Sequence, residues 1–250
     1  ICACLVGSEM CIRDSYNCFA RTAAFSPNGA DTKIRFRLAE YDPNGRKMEE
    51  KGINRYSLST SDLNNLNPEK IKNNPKICWD YKRYLNIWIV ENMGNSVSTP
   101  HYILNTADLN QIQGVSFEQL SLEEIEKQEY SLTDIGLIYG ARDFAIEDVG
   151  YPTQMGKFFG LLDTENQKED YCEDTFAYNT YKEPWNTALE GSNSRLKIST
   201  DGLIFYSVNI MDASSYKNTI SMDQVKRIRT ITDNCPHRWA WKSDWAFTGK

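Results

Sequence analysis

Apolar and polar side chains alternate from Thr32 to Tyr41. Ile34, Phe36 and Leu38 fall on one side and Lys33, Arg35 and Arg37 on the other. A period of two predicts a half-buried strand. Asp42-Pro43-Asn44-Gly45 then supplies a turn, with Pro fixing φ and Gly free to take positive φ. Residues 60–76, rich in Asn, Ser, Lys and Pro, are expected to hold a short helix in a surface loop. The run Tyr84-Leu85-Asn86-Ile87-Trp88-Ile89-Val90 is nearly continuous in apolar character, which predicts a central strand covered on both faces. A short acidic helix is expected over 118–129, with Leu120, Leu122 and Ile125 inward, and a further buried strand from Asp134 to Gly140.

The period then changes. Met155, Phe158, Phe159 and Leu162 stand at i, i+3, i+4 and i+7, one apolar face of a helix, and Pro152 sits where a first helical turn tolerates it. From Asp163 to Ser194 the chain is acidic and turn-rich, and Leu203 to Ile210 is strand-like. Ser221-Met222-Asp223-Gln224 is a capping box opening a last helix striped by Val225, Ile228 and Ile231. Trp239, Trp241 and Trp245 recur by twos and predict an extended tail. Strands early and helices later give an α+β class. No repeat or linker divides residues 16–250, so one domain with lobes at 16–162 and 163–250 is expected.

Composition narrows the partners. A net charge of −6 over 250 residues argues against a phosphate-backbone partner. No apolar run approaches the roughly 20 residues that span a bilayer. Residues 5–15, Leu5-Val6-Gly7-Ser8-Glu9-Met10-Cys11-Ile12-Arg13-Asp14-Ser15, resemble a translated sequencing adapter and lack the pattern of a signal peptide. Residues 1–15 are therefore read as a non-native leader, with the native start and any signal missing. Outside it remain Cys18, Cys78, Cys172 and Cys235, which permit three pairings or none.

The residues Thr153-Gln154-Met155-Gly156-Lys157-Phe158-Phe159-Gly160-Leu161-Leu162-Asp163 have the frame H-E-x-x-H-x-x-G-x-x-H, with the chemical residues exchanged and the glycine kept. Around this frame, several blocks resemble the pappalysin-type metzincin family in order. They are Ile34 to Gly45 with Gly52-Ile53-Asn54-Arg55, Arg83 to Trp88, Asp170 to Thr175, Asn209-Ile210-Met211-Asp212, and Asp223 to Arg229. The resemblance spans roughly residues 31 to 235. It implies a metzincin fold with a mixed sheet and helices in the N-terminal lobe. A cleft would follow, then an irregular C-terminal lobe whose Met-turn carries Met211. The implied setting is a bacterial secreted or surface-anchored protein, hence extracellular.

The same resemblance assigns zinc ligands to Thr153, Lys157 and Asp163, a general base to Gln154, and an oxyanion-stabilising tyrosine to Ala213. None of these residues suits its role. Lysine is an ammonium without a lone pair at neutral pH, glutamine is not a practical base, and one carboxylate is not a zinc site. The chain has only His101 and His237, so three histidine ligands are impossible. Each histidine is expected to be a surface or hydrogen-bonded residue. Tyr216 could replace the missing tyrosine, and Lys157 could pair with Asp163 in place of a metal. Asp170, Glu173 and Asp174 could hold calcium or form a solvated acidic loop. The expected function is a catalytically inactive binder of a peptide or protein in the cleft, with no zinc. The alternatives are an active metallopeptidase with an unorthodox site, or a carbohydrate-contacting or structural surface protein.

Overall fold

The computed structural model describes residues 2–3, 29–57, 71–91, 94–141, 150–165, 169–178, 196–213, 217, 219–244 and 246. Strand β1 is Cys2–Ala3, β2 Asn54–Arg55, and β3 Asn86–Val90. Next come β4 (Tyr102–Leu104), β5 (Glu118–Leu120), helix α1 (Leu122–Ile125), α2 (Leu132–Ile135) and β6 (Gly136–Gly140). The second half holds α3 (Tyr151–Phe158), β7 (Leu196–Ile198), β8 (Ile204–Tyr206), α4 (Met222–Asn234) and a 3₁₀ helix, Pro236–Lys242. The class is mixed α+β, with small sheets and few helices. Among the described residues no helix is long and apolar enough to cross a membrane.

The four-stranded sheet runs β2-β1-β3-β6. β3 and β6 pair in parallel, Asn86 opposite Gly136 through Val90 opposite Gly140. As its apolar run predicts, β3 is interior to the sheet, and only Ile89 in it is half-buried. β1, from the stretch set aside above, is antiparallel to both β2 and β3. β4 and β5 form a parallel pair, and β7 and β8 an antiparallel one.

Several sequence expectations need correction, among them the strand expected over Leu203–Ile210, which forms a ladder only at Ile204–Tyr206. Residues 32–41 alternate as foreseen, with Ile34, Phe36 and Leu38 half-buried on the main core and Lys33, Arg35 and Arg37 exposed, but they form no ladder strand. The place between β2 and β3 is occupied by β1. Lys33 takes φ 62°, and its N–H donates to the Asp31 carboxylate in a local turn. The acidic helix is a single turn, because residues 118–120 pair with β4 instead; Leu122 is 41% exposed, and Ile125 alone of the three apolar positions is buried. The predicted strand at Asp134 starts two residues late, after helix α2, whose Ser131 N–H is held by the Asp134 carboxylate. Of the loop helix expected over 60–76, Ile71 and Lys72 are helical, and residues 60–70 lie outside the described residues.

The main core gathers Ile87, Leu137 and Tyr139 from the sheet, Met155, Phe158 and Phe159 around α3, and Ile210, Met211, Ile220 and Ile228 from the second half. Helix α3 is therefore clamped between β3/β6 and the 209–228 segment. Helix α4 opens on the predicted capping box: Ser221 Oγ accepts from Gln224 N–H, and Gln224 Oε1 accepts from Ser221 N–H.

Candidate functional site

Helix α3 ends in a glycine-dependent turn. Gly160 takes φ 82°; its N–H donates to Lys157 O and the Leu161 N–H to Gly156 O, the paired bonds of a Schellman motif. A Cβ at Gly160 would lie 2.8 Å from Ile231. Two buried arginines, both unforeseen, satisfy the remaining carbonyls. Arg238 Nε donates to Phe158 O at 2.7 Å and Arg227 Nε to Gly160 O at 2.6 Å. Cations here also complement the negative end of the helix dipole.

This turn brings the frame residues together. Lys157 Nζ stands 3.0 Å from Asp163 Oδ1, the pairing that the sequence suggested. Thr153 Oγ1 donates to Ile210 O at 2.6 Å and accepts a 2.6 Å bond from Lys217 Nζ. Lys217 is the residue that sequence reading missed. Burial lowers its pKa, while the Asp212, Asp163 and Glu165 carboxylates pull it back up and Lys157 lowers it further. Lys157 and Lys217 thus both stand against the positions that the resemblance assigns to metal ligation. Gln154 is half-buried on the same helix.

Below α3 lies the turn at 209–212. Met211 N–H donates to Asn209 Oδ1, and Asp212 N–H to Asn209 O. Met211 is 2% exposed, and a Cβ on Gly156 would come within 2.6 Å of its Sδ. The fully buried Asp212 accepts from Thr164 Oγ1, Ser207 Oγ and Asn209 N–H, and burial raises its pKa. At Ala213, the N–H donates at 2.6 Å to the hydroxyl of Tyr178, a tyrosine no local pattern marked. Burial, with Asp212 nearby, pushes the Tyr178 pKa up, so it stays protonated. Tyr216 lies outside the described residues.

The acidic candidates do not converge. Asp170 is buried and accepts from Cys172 N–H and Thr175 Oγ1. Asp174 accepts from Asp223 N–H at the start of α4, and Glu173 is exposed. Among the described residues no group of three His, Cys, Asp or Glu side chains could hold a metal ion. Cys78, Cys172 and Cys235 are free thiols, and Cys18 lies outside the described residues. Burial pushes the Cys78 pKa up to about 11 and that of Cys235 up to about 12.

The histidines stand apart. His101 is exposed, 3.9 Å from Glu118. His237 corrects the expectation of a surface or hydrogen-bonded residue. It is 7% exposed, packs edge-on against Tyr81, Tyr102 and Tyr130, and its Nε2 has no hydrogen-bond partner among the described residues. The tail is likewise a 3₁₀ helix, not extended, because Arg238 is drawn inward to the carbonyls of Phe158, Asp134 and Ser98. Trp239 is half-buried and Trp241 is 45% exposed; Trp245 lies outside the described residues.

No protein-family model matches the chain, and no curated protein matches it.

Proposed function

We propose that the chain is a pappalysin-like module that has lost peptidase chemistry and binds a peptide or protein segment without cutting it. The observation that carries this is a lysine bonded to each of two frame residues: Lys157, itself in the frame, to Asp163, and Lys217, from outside it, to Thr153. Two ammonium groups supply positive charge where the resemblance calls for a zinc ion. They repel a cation and offer it no lone pair. Threonine, lysine and a lysine-paired aspartate are a donor set that does not fit zinc.

The packing half of the motif supports the same reading. Gly160 keeps its turn, Gly156 keeps Met211 against it, and Met155 and Phe158 fill the core. A helix under this much packing constraint serves as scaffold. What faces outward is partly exposed Lys157 and Asp163 and half-buried Gln154. An ammonium, a carboxylate and an amide match the donors and acceptors of an extended peptide backbone. An extracellular, bacterial setting goes with the resemblance and is part of the proposal.

The test combines metal analysis with a peptide library. The protein, dialysed against zinc and then desalted, is expected to retain substoichiometric zinc. Peptides eluted from it should be recovered uncut. Stoichiometric zinc together with chelator-sensitive cleavage would overturn the reading.

A further inference from the structure

A cavity of about 500 Å³ lies between the extended segment 33–41 and the ends of α3, α4 and the 3₁₀ helix. Its volume is that of a small-molecule site. Thr153, Lys157, Asp163 and Lys217 do not line it, so it stands or falls apart from the reading above. Its apolar wall includes Ile34, Phe36, Leu38, Leu85, Phe158 and Phe159.

The charged wall is almost of one sign. Among the described residues, Lys33, Arg35, Arg37, Arg83, Arg229 and Arg238 line the cavity against a single acid, Glu40, in a chain whose net charge is −6. Some of this charge is neutralised locally. Lys33 and Arg35 share Asp31, Arg83 stands 3.8 Å from Asp80, and Glu40 is bonded to Lys51. Arg229 and Arg238 differ. Arg229, exposed to solvent, donates to Thr32 O, and the 4%-exposed Arg238 to Phe158 O, Asp134 O and Ser98 O. Carbonyls satisfy the N–H groups without cancelling the charge. The carboxylate acting on Arg238, that of Asp134, is itself bonded to Ser131. His237 also lines the cavity, and its buried Nε2 has no partner among the described residues.

We propose that this cavity binds an amphipathic acid, an unbranched aliphatic carboxylate with its chain against Ile34, Phe36, Leu38 and Phe159 and its head group at Arg229. A carboxylate pairs with a guanidinium in two parallel hydrogen bonds and would give a counter-charge to Arg229, which among the described residues bonds the Thr32 carbonyl. The alkyl chain would cover apolar wall under segment 33–41.

Three probes with the same chain separate head from tail: dodecanoate, dodecanol and dodecyltrimethylammonium, each titrated calorimetrically below its micelle concentration into the full chain. One dodecanoate is expected to bind, at least about tenfold more tightly than either other probe. The readout for variants is the dodecanoate-to-dodecanol affinity ratio, which cancels any general loosening of the segment. Arg229→Gln should bring that ratio close to unity, and Arg229→Lys, which keeps the charge but loses the second parallel bond, should keep only part of it. Leu38→Trp, which fills the cavity, should weaken all binding. Equal affinity for the three probes, no binding of dodecanoate, or an unchanged ratio in Arg229→Gln would each overturn the proposal.

Discussion

Lys157 Nζ lies 3.0 Å from Asp163 Oδ1, so a side chain from the last turn of α3 reaches across the Gly160 turn to the segment that leaves it. The pair closes the bend that the Schellman hydrogen bonds begin. Its side chains are 31% and 24% exposed, between the surface pairs that contribute little and the buried pairs whose breakage is costly. Lys217 and Thr153 make the neighbouring bond, so two lysines stiffen the site from opposite ends of the helix.

Breaking the pair should cost stability. Lys157→Met is expected to lose about 1 kcal/mol in urea unfolding, since Asp163 keeps its carboxylate with one cation fewer. A double-mutant cycle with Asp163→Asn should return a coupling of about 0.5–1 kcal/mol that shrinks in high salt. If Lys157→Met is as stable as the parent, or more so, the pair contributes nothing.

The contact of Gly156 with Met211 makes a prediction whose sign depends on background. In an open helix position Gly→Ala gains up to about 1 kcal/mol. Here the new Cβ would meet Met211 Sδ at 2.6 Å and Ile210 Cδ1 at 3.3 Å. Gly156→Ala is therefore expected to destabilise the parent by about 1–2 kcal/mol. In a Met211→Ala background the same change should be neutral or stabilising. Thermal denaturation of the four proteins decides it, and a gain in the parent background would show that Met211 yields freely.

What the sequence disclosed was local. The Ser221–Gln224 capping box and the interior strand at Asn86–Val90 each rest on spacings of a few residues, and they stand in the structure. Of the expected α3 face, Met155 and Phe158 are helical and buried, Phe159 is the C-cap, and Leu162 lies beyond the helix and is half-buried because the Gly160 turn ends it. The Lys157–Asp163 pair was also legible, because both residues belong to one motif. Segment 32–41 kept its alternation but not its ladder, since a period of two reports which side faces the core and says nothing about the neighbouring strand. Arg238 bonds Phe158, 80 residues away, and turns a tail spaced by twos into a 3₁₀ helix. Tyr178 at Ala213 and Lys217 at Thr153 are equally non-local. Arg227 did leave a signal. Gln224, Arg227, Ile228 and Ile231 stand at i, i+3, i+4 and i+7, so an arginine occupies the buried stripe of α4.

His237 predicts a pH dependence. Burial, with help from Arg238, lowers its pKa from 6.5 to about 4. The unfolded chain therefore takes up a proton at a higher pH than the folded chain does. The stability this neutral imidazole contributes is complete above about pH 6.5 and is lost as pH falls toward about 4. Burial raises the pKa of Asp170 and Asp212, and carboxylates so raised act in the opposite direction. The informative quantity is the difference between the parent and His237→Phe, whose ring suits the three surrounding tyrosines. That difference should move in favour of the variant by about 2–3 kcal/mol between pH 7 and pH 4. A pH-independent difference would mean that His237 is solvated.

Restoring histidines would ask whether the frame still holds its geometry. Thr153 and Lys157 are separated by one turn of α3, Gly160 retains φ 82°, and Met211 packs against Gly156. On the proposed reading, Thr153→His, Lys157→His and Asp163→His together recreate three imidazoles at metzincin spacing. Lys217 stands in the way, since its ammonium sits 2.6 Å from Thr153 Oγ1. The triple variant is therefore expected to bind zinc poorly. Adding Lys217→Met should bring one zinc per chain, bound at least about 100-fold more tightly than in the triple variant. Adding Gln154→Glu to that protein would supply the missing base, and peptide cleavage is then the readout. Equal zinc affinity with and without Lys217 would show that this lysine is not what excludes the metal.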